Sequence, residues 1–298
     1  MVYFTVKSRK QIQTLWLLNN QKELQSLIMK TIPKFKNEIF NRISQLMNSN
    51  IELLDNYIYD DIHKYYYELL NTVSTSHKFK KRYTEKDNEY LKKRAKYRAL
   101  DIVHILKAPQ FENLKISNYL DLGANDGSIT SYLGYYLGLR KKNIIALDID
   151  NQSYYEGVKN KKIFQATYKT YDGEHIPFPA NTFDVITAFM CLHHVENQSD
   201  IIHELYRVIK KNGVIIIREH NIKSDEERMI ADIQHSLYEM VLNSKPIDEF
   251  YDTFKIECNS EKDWDNLFGR NKFKKVYIHQ PSTIKNNPVK YYYAVYQK

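Results

Sequence analysis

Residues 119–127 read Tyr-Leu-Asp-Leu-Gly-Ala-Asn-Asp-Gly, and this stretch decides the fold. Its apolar start is strand-like and ends at Asp121. Gly123 and Gly127 then permit a tight turn and a close backbone approach to a ligand. Asn125 sits between them, and asparagine is among the residues that best tolerate positive φ. A helix beginning just beyond Gly127 presents unpaired N–H groups to whatever the turn holds. Downstream, Ile144-Ile-Ala-Leu-Asp148 reads as a second strand ending in an acid, with Ile149 and Asp150 next. An acid about 20 residues after a glycine turn accepts hydrogen bonds from ribose hydroxyls. The glycine spacing differs from the GxGxxG of pyrophosphate-binding loops, which points to a nucleoside ligand without a phosphate.

Moving outward, short apolar runs at 117–122, 143–147, 183–190 and 213–218 alternate with helical stretches at 128–139, 152–159 and 200–210. Such alternation argues for a parallel sheet wrapped on both faces. Ligands in such sheets bind at the carboxyl ends of the strands, where strand order reverses. The runs 273–279 and 291–296 predict two further strands, pairing antiparallel at the sheet edge.

Before residue 115 the character changes. Apolar residues recur at helical spacing around Leu15–Ile28, Ile39–Leu46 and Ile51–Leu69, and a fourth helix is expected from Thr84 to Leu106. The expectation is an all-helical region over 1–115 and an α/β domain over 116–298. Residues 1–115 carry 21 Lys/Arg against 12 Asp/Glu, whereas the remainder is nearly balanced at 23 against 24. The excess positive charge therefore lies in the helical region, which suggests an acidic partner.

Within it, residues 78–98 hold ten Lys/Arg and three Asp/Glu, interleaved with Phe79, Tyr83, Tyr90 and Tyr97. Lys78, Lys80, Lys81, Arg82, Lys92, Lys93, Arg94, Lys96 and Arg98 are candidates for nucleic-acid contact, because cations neutralise phosphates and aromatics stack on bases. A solvated helix face is the competing explanation, and a protein partner is equally compatible with the charge. Two cysteines, Cys191 and Cys258, lack metal-type spacing, and a disulfide framework is not expected. No secretory leader or membrane-length apolar run is legible, so a cytoplasmic location is expected.

Taken together, the motifs resemble those of class I S-adenosylmethionine-dependent methyltransferases. Residues 119–127 look like the first motif and 146–149 the second. Residues 172–184 resemble the approach to the fourth strand, Leu192-His-His-Val195 the segment after it, and 207–218 the following helix, turn and strand. The resemblance implies a Rossmann-like seven-stranded sheet, mostly parallel with an antiparallel last strand, and S-adenosylmethionine as cofactor. It implies that Asp121 and the Gly123 backbone hold the methionine amino group. Gly123, Asn125 and Gly127 form the turn, and Asp148 with Ile149 meets the ribose side. Asp172 and Gly173 address the adenine, and Phe189 lines the methionine end. Asn125 and Asn212 depart from frequent glycine or proline positions, but both are turn-competent.

His193, His194, Glu219 and His220 lie just beyond the fourth and fifth strands and are the candidate catalytic residues. No metal site is expected. RNA is the leading acceptor on the charge asymmetry. A base is favoured over a ribose hydroxyl, since the fourth strand ends in Phe189-Met-Cys191 without an acid. A small-molecule methyltransferase with a helical lid, and a catalytically silent partner subunit, remain the alternatives.

Overall fold

The computed structural model describes residues 77–150, 166–224, 227, 228, 231, 235, 254, 256–280 and 291–298, with the backbone alone over 77–91. The three helices expected before residue 70, and the one expected over 152–159, lie outside the described residues. The chain divides into two compact units. One comprises residues 1–84, 222–256 and 285–289, and the other residues 85–221, 257–284 and 290–298. In the first unit, the Lys223 amide donates to Glu227 Oε2 and the Glu227 amide to Ser224 Oγ, at 2.6 and 3.2 Å. All that follows concerns the second unit, together with the helix that leads into it.

That helix, α1, spans His77–Leu106, so the expected helix starts seven residues earlier than its apolar spacing indicated. The other elements are β1 (Tyr119–Leu122), α2 (Ser128–Tyr136), β2 (Ile144–Asp148), β3 (Thr167–Thr170) and β4 (Phe183–Phe189). They continue with α3 (Gln198–Val208), β5 (Ile209–His220), α4 (Glu261–Arg270), β6 (Lys274–His279) and β7 (Tyr291–Gln297). The seven strands form one sheet of order β3-β2-β1-β4-β5-β7-β6. β1 to β5 are parallel, and β7 inserts antiparallel between β5 and β6.

The seven-stranded Rossmann-like sheet is therefore as expected, with two corrections of detail. The short strand β3 carries Tyr-Lys-Thr polarity on an exposed edge and gave no apolar run. Helix α4 is announced only by its start. Ser260 Oγ accepts from the Asp263 amide, and Asp263 returns a bond to the Ser260 amide. Such a reciprocal cap satisfies two otherwise orphaned donors.

Strand residues alternate between the two faces, and each face is covered by helix. On one face Ala99, Ile102 and Ile105 of α1 and Leu133 of α2 pack with Tyr119, Val185, Ile216 and Tyr293. On the other, Ile202 and Leu205 of α3 and Trp264 and Phe268 of α4 pack with Leu122, Ile186, Ile217 and Tyr296. Central strands covered on both sides read as continuous apolar runs, which is why β1, β2, β4 and β5 were legible. Among the described residues no helix is long and apolar enough to cross a membrane.

Candidate active site

Strand order reverses between β1 and β4, since β2 lies on one side of β1 and β4 on the other. The crevice at this point is lined by the turn after β1. Gly123 has φ 70°, Asn125 φ 50° and Gly127 φ 67°, so the asparagine takes up the left-handed geometry its position demands. The Gly123 and Ala124 amides donate to the Leu147 carbonyl at 2.9 and 3.1 Å, tying the turn to β2. Asp126 caps α2 by accepting from the Ser128 amide and hydroxyl, both at 2.9 Å.

Asp148 closes this arrangement. Its Oδ2 accepts from the Asn125 amide at 2.6 Å and its Oδ1 from the Ile149 amide at 2.8 Å. Burial raises its carboxyl above the ordinary range, against the amide bonds of Asn125, Ile149 and Asp150. A carboxylate has about four acceptor positions, so the group keeps acceptor capacity for ligand hydroxyls. Ile149 beside it is 65% exposed, an unusual state for a large apolar side chain at a strand end. A Cβ on Gly173, which has φ 91°, would stand 3.6 Å from Ile149 Cγ2.

Asp172 caps its own turn. Its Oδ1 accepts from the Glu174 and His175 amides at 2.8 and 2.7 Å, and these bonds hold its carboxyl down to about 2. It is exposed and ionised, and it fixes Gly173 in place.

Asp121 lies deeper than a ligand contact at the turn surface. It is 3% exposed, and its oxygens accept from the Thr130 and Thr187 hydroxyls, both at 2.6 Å. Tyr119 OH joins Thr187 Oγ1 at 2.7 Å. Burial pushes the Asp121 carboxyl up to about 6, the hydroxyl bonds opposing it. The folded state therefore binds more protons than the unfolded chain between about pH 4 and pH 6, so this group's contribution to stability falls as pH rises through that window. In Asp121→Asn the decline of Tm from pH 4 to pH 7 is expected to be shallower by a few degrees, measured by calorimetry at constant ionic strength.

Gly123 is required twice over. Beyond its positive φ, a Cβ there would lie 2.5 Å from Cys191 Cβ. Cys191 in turn donates its thiol to the Leu122 carbonyl at 3.3 Å. Gly123→Ala combines left-handed strain with overpacking and is expected to cost about 2–3 kcal/mol, read as a lowered urea midpoint.

The candidates expected beyond β4 and β5 separate into buried and exposed, and Glu219 and His220 are the last two residues of β5 rather than beyond it. His193 is 1% exposed and Glu219 is fully buried, with His193 Nδ1 and Glu219 Oε2 2.6 Å apart. Glu219 Oε1 accepts from the Leu192 amide at 2.9 Å and the Cys191 amide at 3.2 Å. Burial pushes the Glu219 carboxyl up to about 6, against His220, the Leu192 amide and His194. His220 is buried beside His193, the rings 5.0 Å apart. His194 is exposed, its ring 4.1 Å from that of His193. Glu219 and His193 thus anchor the turn Leu192–His194, and His194 is the histidine of this segment that reaches solvent. Phe189 ends β4 and packs edge-on against Tyr293 at 5.9 Å.

Of the basic candidates, Lys92, Lys93, Arg94 and Lys96 are exposed along α1, while Arg98 is half-buried. The side chains of Lys78, Lys80, Lys81 and Arg82 lie outside the described residues.

Sequence reasoning missed Thr130, Thr187 and Tyr168. The Tyr168 hydroxyl donates to the Asn125 and Asp150 carbonyls, each at 2.9 Å, bracing the turn from β3. A hydroxyl in a strand carries no sign of its partner. Asp126 was missed as well, although an acid two residues before a helix start is a signal that could have found it.

Comparison with known proteins bears on the same residues. The chain is 30% identical over 104 residues to the ubiquinone/menaquinone biosynthesis C-methyltransferase UbiE of Vibrio cholerae, and 29% to that of Vibrio vulnificus. These alignments cover 34% of this chain and 40% of each relative, so the chain spans well under half the length of the curated relatives it matches. Among solved structures, a SAM-dependent methyltransferase from Aquifex aeolicus overlaps 63% of this chain and 86% of its own, at 17% identity and TM-score 0.42. Phosphoethanolamine N-methyltransferase 2 of Haemonchus contortus, solved with S-adenosyl-L-methionine, overlaps 68% of this chain and 52% of its own, at 14% identity and TM-score 0.48. Residues 120–217, the segment from β1 to β5, match the family described as Methyltransferase domain.

Proposed function

We propose that this chain transfers the methyl group of S-adenosylmethionine to a small acceptor bound beside β4 and β5. The observation that carries the reading is the position of Asp148. It ends β2, one strand over from the strand-order reversal, bonded to the Asn125 amide, with acceptor capacity left for sugar hydroxyls. The surrounding residues fit the same cofactor. The exposed Ile149 offers an apolar surface to an adenine ring, and the Gly123 turn brings backbone close to the methionine end.

S-adenosylmethionine supplies a methyl group already made electrophilic by its sulfonium. The protein's task is therefore chiefly alignment of the acceptor. Phe189 and the turn Leu192–His194, fixed from beneath by Glu219, shape the wall on which the acceptor lies. Where the acceptor must lose a proton, the exposed His194 is the residue placed to take it. Asp121 holds β1, β4 and α2 together beneath the turn through Thr130 and Thr187, keeping the Gly123 backbone in position.

The similarity to UbiE supports a small acceptor. RNA is a second reading, supported by the exposed row Lys92, Lys93, Arg94 and Lys96. It requires an affinity that falls steeply with salt, whereas a small acceptor leaves turnover nearly salt-independent. The test is calorimetric titration with S-adenosylhomocysteine. Saturable binding at micromolar concentration is expected. No heat at millimolar concentration overturns the proposal and leaves a silent, fold-retaining subunit.

A further inference from the structure

Arg218 occupies an uncommon place for a cation. It sits near the carboxyl end of β5, in register with Phe189 of β4 and Tyr293 of β7. Alternation along β5 puts it on the same face as Ile216, the face covered by α1. Arg218 is only 6% exposed, and its guanidinium carbon lies 3.8 Å from the centroid of the Tyr291 ring. Its Nε has no hydrogen-bond partner. Arg98 lies on α1 next to Ala99, which packs in one core layer with Ile216 and Tyr293. Asp101, three residues further along that helix, accepts from the Tyr293 hydroxyl at 3.3 Å, which seats this part of α1 over β7. Burial first, and then the charges of Arg218 and Arg94, hold the Arg98 guanidinium down to about 9. Asp101 is the acid on this side, and it is engaged by the tyrosine. Among the described residues no ion pair reaches Arg98 or Arg218.

A buried guanidinium with an unpartnered Nε, and a second, half-buried one on the helix that covers it, are costly without an ion pair unless an anion is added. The aromatic face of Tyr291 offsets part of that cost for Arg218. We propose that Arg98 and Arg218 form a subsite for the carboxylate or phosphate of a small anionic methyl acceptor. The planar forks of two arginines suit either group, since both present paired oxygens. The subsite adjoins Phe189, one strand over from the crevice, so an anion held there leaves the rest of the molecule directed toward the methyl group. That orientation rests on the methyl-transfer reading, whereas the anion site itself does not. A small acid is favoured over RNA because these groups are withdrawn from solvent, while RNA phosphates remain hydrated and are served by exposed lysines.

The test titrates the full chain with inorganic phosphate at constant ionic strength, with chloride as control, both without and with saturating S-adenosylhomocysteine. The expected result is a saturable rise in Tm with phosphate and none with chloride. The phosphate affinity should fall about tenfold or more in Arg98→Gln and in Arg218→Gln. Affinity for S-adenosylhomocysteine stays unchanged in both. Arg98→Gln decides the matter should Arg218→Gln not fold. Equal responses to phosphate and chloride, or an unaltered phosphate response in Arg98→Gln, overturn the proposal. So does a parallel loss of S-adenosylhomocysteine affinity, which would identify the anion as the cofactor's own carboxylate. Loss confined to an RNA oligonucleotide, with phosphate binding intact, overturns it as well. If S-adenosylhomocysteine does not bind at all, the methyl-transfer reading fails, and the phosphate titration without it still decides the arginine pair.

Discussion

Asp148→Ala is expected to weaken binding of S-adenosylhomocysteine about a hundredfold or more. The carboxylate does two things. It fixes the Asn125 amide at 2.6 Å, and so the turn, and it offers its remaining lone pairs to the ligand. A hydrogen bond to a charged group contributes about 1.5–3 kcal/mol, and two ribose hydroxyls lost together amount to two or more orders of magnitude in affinity. Asp148→Asn keeps one acceptor and should fall between wild type and alanine. Calorimetry on both variants checks the order. Wild-type affinity in the alanine variant would show that the sugar is held elsewhere and would remove the main support for the crevice as the cofactor site.

The second large effect is on stability. Glu219→Ala removes the acceptor for the Cys191 and Leu192 amides and for His193 at once. All of this occurs where Glu219 is 0% and His193 1% exposed, so water cannot replace the lost oxygens. Leaving buried groups without their acceptor costs about 1–3 kcal/mol each, so a loss of about 3–5 kcal/mol is expected. Glu219→Gln retains one oxygen for the amides and should cost less. Urea denaturation measures both. A Glu219→Ala protein of wild-type stability that had lost methyl transfer would contradict the anchoring role and move Glu219 into the chemistry itself. The same arrangement separates the four candidate catalytic residues. Glu219, His193 and His220 are enclosed, and His194 faces solvent.

The sequence alone determined the sheet and the turn. β1, β2, β4 and β5 are buried on both faces, and that burial demands unbroken apolar runs which no other context explains as well. Gly123, Asn125 and Gly127 were legible because positive φ restricts residue choice. Asp148 was legible through its spacing from that turn. Tertiary structure alone decided which polar groups meet. Asp121 belongs beneath the turn with Thr130 and Thr187, and Glu219 belongs with His193 across 26 residues of chain. That Arg98 and Arg218, 120 positions apart, belong to a helix and a strand packed in one layer was equally invisible. The reason is physical. Backbone conformation and burial leave periodic traces in the residues that adopt them. A hydrogen bond or an unneutralised charge depends on a partner that the fold delivers from elsewhere, and neither partner carries a mark of the other.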